Sequence, residues 1–211
     1  MKLILIRHGE TYWNKEKRVQ GAESDIGLND TGLEQARKLG TFLKDENIVA
    51  ILSSPMLRAI ATAEAIASHH RLPVEVDAGL IEIRIGELEG MSVSNLSTTF
   101  SQFLVQWWRD GRARKSPDGE TLVELQQRAW NVVERLLEKH RLVVADPGPG
   151  REPAVVIVSH YFVTLAIILK ALDLPVDCFT KFKVDTGGVS ILEIRDHGPR
   201  LLAFNDISYQ F

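Results

Sequence analysis

The sequence has only one cysteine, Cys178, among its 211 residues. A single thiol forms no internal disulfide and cannot build a multi-cysteine zinc site. Long apolar runs are lacking too. The N-terminal run Leu3–Ile6 is too short for the core of a signal peptide, and the later run 163–169 ends at Lys170, too short to span a bilayer. We therefore expect a cytoplasmic protein with no membrane partner.

An excess of charge of either sign is also lacking. Twenty-five basic side chains against 28 acidic ones leave a formal net charge of −3, whereas a nucleic-acid-binding protein normally carries a basic excess. Apolar residues make up 45% and charged residues 25% of the chain, which excludes a disordered or fibrous protein. At this length we expect residues 1–211 to form a single domain, with a helical cap inserted at about 86–118.

Short apolar runs alternate with amphipathic segments along the chain. The apolar runs predict strands at 2–6, 48–52, 73–76, 154–158, 188–194 and 201–205. The amphipathic segments predict helices at 31–46, 55–69, 121–141 and 163–172, together with an aromatic helix at 100–108 in the cap. This alternation predicts a three-layer α/β/α sandwich with a mostly parallel central sheet, and the closing hairpin predicts one antiparallel edge.

Three of the predicted helices begin with capping signals. Thr31 and Thr121 each precede a glutamate by three residues, which is the spacing of a capping box. Ser54 precedes Pro55, the pattern of an N-cap followed by proline at the first helical position. We expect these helices to begin at those residues.

Polar side chains follow three of the predicted buried strands. Arg7 and His8 come directly after the first strand, and His160 comes after the strand at 154–158. Arg58 lies one turn into the helix that follows the second strand. Ligands of parallel sheets bind beyond the carboxyl ends of the strands, so we expect these side chains to converge. No carboxylate or cysteine accompanies the histidines at metal-ligand spacing, and no metal site is predicted.

Arginines beside a histidine suit a phosphate dianion, because guanidinium groups bind it bidentately. A neutral imidazole can attack phosphorus and hold the phosphoryl group covalently, and a second histidine can stabilise the charge that develops on the phosphate oxygens. The reaction also needs a proton donor for the leaving oxygen. Glu82 is the first candidate because it lies just after 73–80, where the third strand is expected to end; Glu87 and Glu89 are alternatives.

The motif Arg7-His8-Gly9-Glu10-Thr11, followed by Asn14, resembles the signature of the histidine phosphatase superfamily, also called phosphoglycerate-mutase-like proteins. Further matching blocks fall in family order over essentially the whole chain, and the match is weakest between 92 and 115. These blocks are Gln20-Gly21, 28–32 with Gln35-Ala36, 53–55 with Arg58-Ala59 and Thr62-Ala63, Glu82 with Gly86 and Glu89-Gly90, Gly119-Glu120, Arg128, and 158–160.

The resemblance implies roles for the residues of these motifs. His8 would be the nucleophile that forms a phosphohistidine. Glu82 would be the proton donor and then the base for the incoming water. The phosphate pocket would be completed by Arg7, Arg58 and His160. The family needs no metal, and we expect no cofactor.

Substrate recognition involves residues around this pocket. The resemblance implies that Asn14, Gln20 and Gly21 lie near the phosphate or the substrate. Two positions depart from the family pattern: Tyr161 stands where glycine is common and brings a bulky phenol towards the substrate, and Gly27 stands where proline is common. Both departures bear on the identity of the substrate rather than on the core reaction.

We therefore expect a phosphomonoesterase that acts on a small phosphorylated metabolite. One alternative is a cofactor-dependent phosphoglycerate mutase, but such mutases are usually longer after the position of Gly90 and rich in Lys and Arg there, whereas 91–100 carries no charge. A second alternative is a weakly catalytic regulatory protein that binds a phosphorylated ligand; the complete set of motif residues speaks against it. The basic run 109–115 is either a solvated face or a rim that steers anionic substrates. The oligomeric state is open, a homodimer included.

Overall fold

A computed structural model describes residues 1–99, 115, 118–140, 152–195 and 197–211, and its central element is a six-stranded sheet. The strands are β1 Lys2–Arg7, β2 Ile48–Ser53, β3 Val74–Val76, β4 Ala154–Ser159, β5 Val189–Arg195 and β6 Gly198–Asp206, in the order β3-β2-β4-β1-β5-β6. The pairs β1–β4, β2–β4 and β2–β3 are parallel, while β5 runs antiparallel to both β1 and β6. The predicted sheet, mostly parallel with an antiparallel edge, is confirmed.

Helices cover both faces of this sheet. They are α1 Tyr12–Lys15, α2 Asp30–Leu43, α3 Leu57–His70, α4 Val93–Thr99, α5 Leu122–Lys139 and α6 Tyr161–Ala171, with 3₁₀ turns at Ala78–Leu80, Gly86–Leu88, Val176–Lys181 and Ser208–Gln210. In β1, Leu3 and Leu5 pack with α5 and α6, whereas Ile4 and Ile6 pack with α2 and α3. The strand is apolar throughout because both of its faces are covered. The described residues thus form the expected three layers.

Local capping decides where the first long helix begins. α2 begins at Asp30, because the side-chain oxygen of Asn29 accepts a hydrogen bond from the N–H of Gly32 at 2.9 Å. The predicted capping box at Thr31 is wrong, since its glutamate, Glu34, instead pairs with Arg37 one turn later at 2.7 Å. The helix ends at Leu43 rather than 46.

The prediction that Ser54 caps the next helix is also wrong. The N-cap of α3 is Met56, which provides no side-chain hydrogen bond. The free N–H of Leu57 is satisfied from a distant loop, where Oδ1 of Asp25 accepts it at 2.7 Å. At α5, by contrast, the capping box of Thr121 is confirmed, and its hydroxyl accepts the third N–H of the helix at 3.1 Å.

The third strand has the end that the apolar run 73–76 predicts and does not continue to residue 80, as the choice of Glu82 assumed. It ends at Val76, because Oδ1 of Asp77 accepts the N–H of Gly79 at 2.8 Å and turns the chain into a 3₁₀ turn. Glu82 therefore follows a turn rather than the end of a strand. Similarly, α6 begins at Tyr161, two residues before the predicted start.

The predicted cap at 86–118 falls only partly on described residues. Residues 86–99 contain the 3₁₀ turn Gly86–Leu88 and α4. The predicted aromatic helix at 100–108 and the basic residues 109–114 lie outside the described part of the chain, so the cap stays a prediction. No helix in the described ranges is long and apolar enough to cross a membrane.

Candidate active site

The ends of three neighbouring parallel strands bring the predicted site residues together. The register pairs Arg7 of β1 with Ser159 of β4, so the residues that follow, His8 and His160, leave the sheet at the same edge. The N–H of His8 donates to the carbonyl of Ser159 at 2.9 Å. The two imidazole rings lie 5.1 Å apart between centroids, inclined by 62°. The expected convergence at the carboxyl ends of the strands is what the structure shows.

His8 is held as a neutral imidazole with one free lone pair. Its ring is 3% exposed, and Nδ1 lies 2.7 Å from the carbonyl oxygen of Gly9. A carbonyl only accepts, so Nδ1 carries the proton and the lone pair is on Nε2. Burial, and then the charges of Arg58 and Arg7, lower the pKa of His8 well below its ordinary value. An imidazole in this state is a competent nucleophile.

His160 has the opposite tautomer. Nε of Arg58 donates to its Nδ1 at 3.3 Å, and its Nε2 lies 2.8 Å from the hydroxyl of Ser54. Because an arginine keeps its proton, Nδ1 is the acceptor and Nε2 donates to Ser54. The ring is fully buried, and burial followed by the charge of Arg58 lowers its pKa well below the ordinary value. The hydroxyl of Ser54 thus orients His160, a role that the sequence did not reveal.

Arg58 lies at the centre of this network. Its side chain is 0% exposed, and its two terminal nitrogens donate to the carbonyls of Ser24 at 3.0 Å and Gly21 at 2.9 Å. Burial lowers its pKa from the ordinary value, but a guanidinium stays charged in proteins. Arg58 therefore brings a positive charge into the site and holds the loop 21–24 against it.

Arg7 contributes the second positive charge. Its Nη1 donates to the carbonyl of Val184 at 2.6 Å, and its Nε is buried without a partner among the described residues. Its guanidinium carbon lies 5.4 Å from the ring centroid of Tyr161, a cation–π contact. The phenol hydroxyl of Tyr161 donates to the carbonyl of Phe182 at 3.0 Å. The tyrosine ring is therefore fixed beside Arg7.

The charge balance of the site favours a dianion. Neither Arg7 nor Arg58 forms an ion pair with a carboxylate of the described residues, and both histidines are neutral. Arg58 is fully buried and Arg7 is half-buried, and the carboxyl group that acts most strongly on both is that of Glu82. Holding two cations in such a site is costly unless anions neutralise them. A phosphate group carries two negative charges and matches this pair. No group of three or more His, Cys, Asp or Glu side chains in the described ranges is arranged to hold a metal ion.

Glu82 is the buried carboxyl group of the site. It is 4% exposed; Oε1 accepts the N–H of Ile83 at 2.9 Å, and Oε2 accepts the N–H of Phe162, in the first turn of α6, at 3.3 Å. Burial raises its pKa above the ordinary value, although the two N–H groups and the charges of Arg58 and Arg7 act in the opposite direction. A buried carboxyl group with a raised pKa can donate a proton near neutral pH.

The two alternative glutamates have different surroundings. Glu89 accepts hydrogen bonds from the N–H groups of Gly21 at 3.1 Å and Ser24 at 3.0 Å, and so holds the same loop that Arg58 grips from the other side. Glu87 is exposed at a 3₁₀ turn. The sequence could not separate Glu89 from Glu82, because its partners lie more than 60 residues away.

The three polar positions predicted near the substrate differ in their hydrogen bonds. Oδ1 of Asn14 accepts the N–H of Thr11 at 3.0 Å in a capping box, and Oε1 of Gln20 lies 2.9 Å from the Thr11 hydroxyl. The amide nitrogen of Gln20 is buried and has no partner in the described ranges. Gly21 has no room for a side chain, since a Cβ would lie 2.6 Å from Oε2 of Glu89.

The fold and this site define an α/β protein with two buried neutral histidines beside two arginines at the carboxyl edge of a parallel sheet. The sequence profile of the histidine phosphatase superfamily (branch 1) matches residues 3–207, and the chain belongs to this family. The resemblance seen in the motifs is thereby confirmed over nearly the whole chain.

Three relatives show how far the similarity extends. A protein of Escherichia fergusonii named "Probable phosphoglycerate mutase GpmB" is 36% identical over 141 residues, 65% of this chain and 64% of that protein. This chain thus covers just under two thirds of that curated relative. Phosphoserine phosphatase of Entamoeba histolytica, solved with 3-phosphoglyceric acid, is 27% identical with a TM-score of 0.83 and covers 100% of this chain and 99% of its own. A mycobacterial glucosyl-3-phosphoglycerate phosphatase, solved with VO3, is 26% identical with a TM-score of 0.85. The match covers 97% of this chain and 98% of that protein's chain.

Proposed function

We propose that the protein is a phosphomonoesterase that hydrolyses a small phosphorylated metabolite through a phosphohistidine on His8. The observation that carries this proposal is the neutral imidazole of His8 beside two guanidinium groups, one buried and one half-buried, that form no ion pair with a carboxylate of the described residues. Its Nε2 lone pair has no partner among those residues. Two of the solved relatives, which cover 100% and 97% of this chain, are named as phosphatases of small phosphorylated compounds, which supports this substrate class.

In the first half-reaction, Nε2 of His8 attacks phosphorus. The N–P bond forms as the P–O ester bond breaks, and Glu82 gives its proton to the departing alcohol. Arg7 and Arg58 bind the phosphate oxygens and stabilise the charge that develops on them, and His160 joins them by turning its Nε2–H from the hydroxyl of Ser54 to the phosphate. The imidazole becomes positive as it takes up the phosphoryl group, and the carbonyl of Gly9, which accepts Nδ1–H, stabilises that charge.

In the second half-reaction, water replaces the alcohol. The ionised Glu82 takes a proton from the water while the water oxygen bonds to phosphorus and the N–P bond to His8 breaks. His8 returns to the neutral state, Glu82 is protonated again, and inorganic phosphate leaves. No metal takes part in either step, since the positive charge comes from the two arginines.

Substrate contacts beyond the phosphate are assigned to four residues. The buried amide nitrogen of Gln20 is a donor without a described partner, and the phenol ring of Tyr161 lies beside Arg7. Gly21 has no side chain and lets the backbone of its loop approach the substrate closely. Asn14 forms the capping box with Thr11 and so holds the start of α1, close to His8 in the chain.

Turnover of p-nitrophenyl phosphate combined with acid or alkali quenching tests the proposal. We expect phosphate to accumulate on the protein in an acid-labile, alkali-stable form. His8→Ala should lose this label and at least about 10³-fold in activity, as expected when a nucleophile is removed. His69→Ala makes the same change at an exposed histidine of α3 and should leave both unchanged. Undiminished activity of His8→Ala would refute the assignment, and no turnover at all would favour a phospho-ligand-binding protein.

A phosphoglycerate mutase is the second candidate, because the curated relatives carry that name. A mutase returns the phosphoryl group to a second hydroxyl and needs cations for a second phosphate, but 91–100 brings none. We expect incubation with 3-phosphoglycerate and a trace of 2,3-bisphosphoglycerate to yield free phosphate. Fast formation of 2-phosphoglycerate with little free phosphate would establish the mutase instead.

A further inference from the structure

An ion pair outside the phosphate pocket grips the segment that carries Glu82. Arg128 of α5 and Glu120, which is 8% exposed, are joined through Nε to Oε2 at 2.9 Å and through Nη2 to Oε1. Among the described residues, neither side chain hydrogen-bonds to a side chain of the site already described; the one bond to a site residue goes to the backbone carbonyl of Glu82. The pair instead binds the backbone of 79–84, between the 3₁₀ turn and the core.

Arg128 uses every N–H of its guanidinium in this contact. Nη1 donates to the carbonyls of Gly79 at 2.9 Å and Ile81 at 2.6 Å, and Nη2 donates to the carbonyl of Glu82 itself at 3.0 Å. With two further bonds to Glu120, all five donors of an arginine are occupied. Arg128 therefore has no donor left for a phosphate, which distinguishes it from Arg7.

Glu120 completes the grip on the other side of Glu82. Its Oε1 accepts the N–H of Arg84 at 3.0 Å, and its own N–H donates to the carbonyl of Arg84 at 2.9 Å. The hydroxyl of Ser159, at the end of β4, donates to the carbonyl of Leu80 at 2.8 Å. The backbone of the segment is thus fixed on both sides of Glu82 and tied to the strand that precedes His160.

We propose that Arg128, supported by Glu120, is a positioning residue that sets the carboxyl group of Glu82 at proton-transfer distance from the leaving oxygen. Beyond the 3₁₀ turn this segment forms no strand or helix, so hydrogen bonds from side chains fix its backbone. General acid catalysis depends steeply on geometry, and an error of about 1 Å can cost about 10²-fold in rate. This inference rests on the proposed function and assigns the support of its acid.

Arg128→Lys is the variant of choice because it keeps the charge but cannot reproduce a planar fork of five donors. We expect kcat for an alkyl phosphate to fall by about 10-fold to 10²-fold, while kcat and KM for p-nitrophenyl phosphate change by less than about 3-fold. Glu120→Gln should show the same selective loss. In the double variant with Glu82→Gln, Arg128→Lys should add no further loss on the alkyl phosphate, because the acid is already absent.

Arg135→Lys is the matched control. Arg135 lies two turns further along α5, its side chain is 61% exposed, and among the described residues it pairs with the side chain of Asp77 at 2.7 Å. It should affect neither substrate. Thermal unfolding of each variant shows whether it is folded under assay conditions, and if Arg128→Lys does not fold, Glu120→Gln decides.

Equal losses on both substrates, or losses that add to that of Glu82→Gln, would give the ion pair a purely structural role and overturn the proposal. In that case Glu82→Gln still discriminates between the two leaving groups and the proposed function stands. If Glu82→Gln does not discriminate between the leaving groups, this inference falls, while the assignment of His8 as the nucleophile stands on its own label. If the wild-type protein hydrolyses neither substrate, the proposed function and this inference both fall.

Discussion

Replacing Glu82 by glutamine removes the proton of the buried carboxyl group while keeping its size. Glutamine has a single side-chain oxygen, so only one of the two N–H groups that Glu82 binds can keep its hydrogen bond to this side chain. The bond from Phe162, at 3.3 Å, is longer than the 2.9 Å bond from Ile83 and should be the one lost. Losing one hydrogen bond to this side chain costs about 1 kcal/mol, so the variant should fold.

The catalytic effect should depend on the leaving group. An alkoxide is a poor leaving group and needs the proton, so kcat for an alkyl phosphate should fall by about 10²-fold to 10⁴-fold. p-Nitrophenolate needs little protonation, and its release should slow by less than about 10-fold. In the wild-type protein, activity on the alkyl phosphate should decline as pH rises through the pKa of Glu82, and the variant should lack that decline.

Stability gives a second readout that does not depend on activity. The folded pKa of Glu82 lies above the ordinary value near 4.5, so the unfolded chain releases the proton first as pH rises. The contribution of Glu82 to the free energy of unfolding is therefore fully present below about pH 4.5. As the pH rises further, it is lost at up to about 1.4 kcal/mol per pH unit until the pH passes the folded pKa. Glutamine has no such loss. Within that window, the unfolding temperature of the variant relative to wild type should rise by up to about 3–6 °C per pH unit.

Kinetics on both substrates and thermal unfolding between pH 4 and 8 test this reasoning together. Glu87→Gln, at an exposed position, is the matched control and should change neither measurement. Equal losses of activity on both leaving groups would assign the proton donor to another residue. A constant difference in unfolding temperature across the pH range would show that the pKa of Glu82 is not raised by burial.

Three further predictions follow from the same contacts. Glu89→Gln should raise KM with little change in leaving-group dependence, because Glu89 holds the loop at Gly21 and Ser24 rather than donating a proton; a loss confined to alkyl phosphates would contradict this. Prolonged EDTA treatment should leave turnover of p-nitrophenyl phosphate unchanged, and strong inhibition would indicate a metal phosphatase. Tyr161→Gly should widen the range of phosphomonoesters accepted in a substrate panel, whereas an unchanged range would remove Tyr161 from the substrate contacts.

The sequence by itself determined the layers of the fold and the edge at which the site forms. The apolar run of β1 predicts burial on both faces, which its two separate sets of helix contacts confirm. The capping box at Thr121 depends on residues three apart and was predicted correctly. Arg7, His8 and His160 could be brought together in advance because parallel strands end at a common edge.

The tertiary structure alone decided the hydrogen-bond partners of the polar groups at the site. The N–H of Leu57 finds Asp25, 32 residues earlier, and the hydroxyl of Ser54 finds His160, 106 residues later. Glu82 and Glu89 have the same side chain, yet one is buried near two arginines and the other binds backbone N–H groups of a loop. Such differences arise from burial and from partners remote in the chain. Local sequence patterns encode the propensity of a segment, whereas hydrogen bonds and pKa values depend on what the folded chain places within a few ångströms.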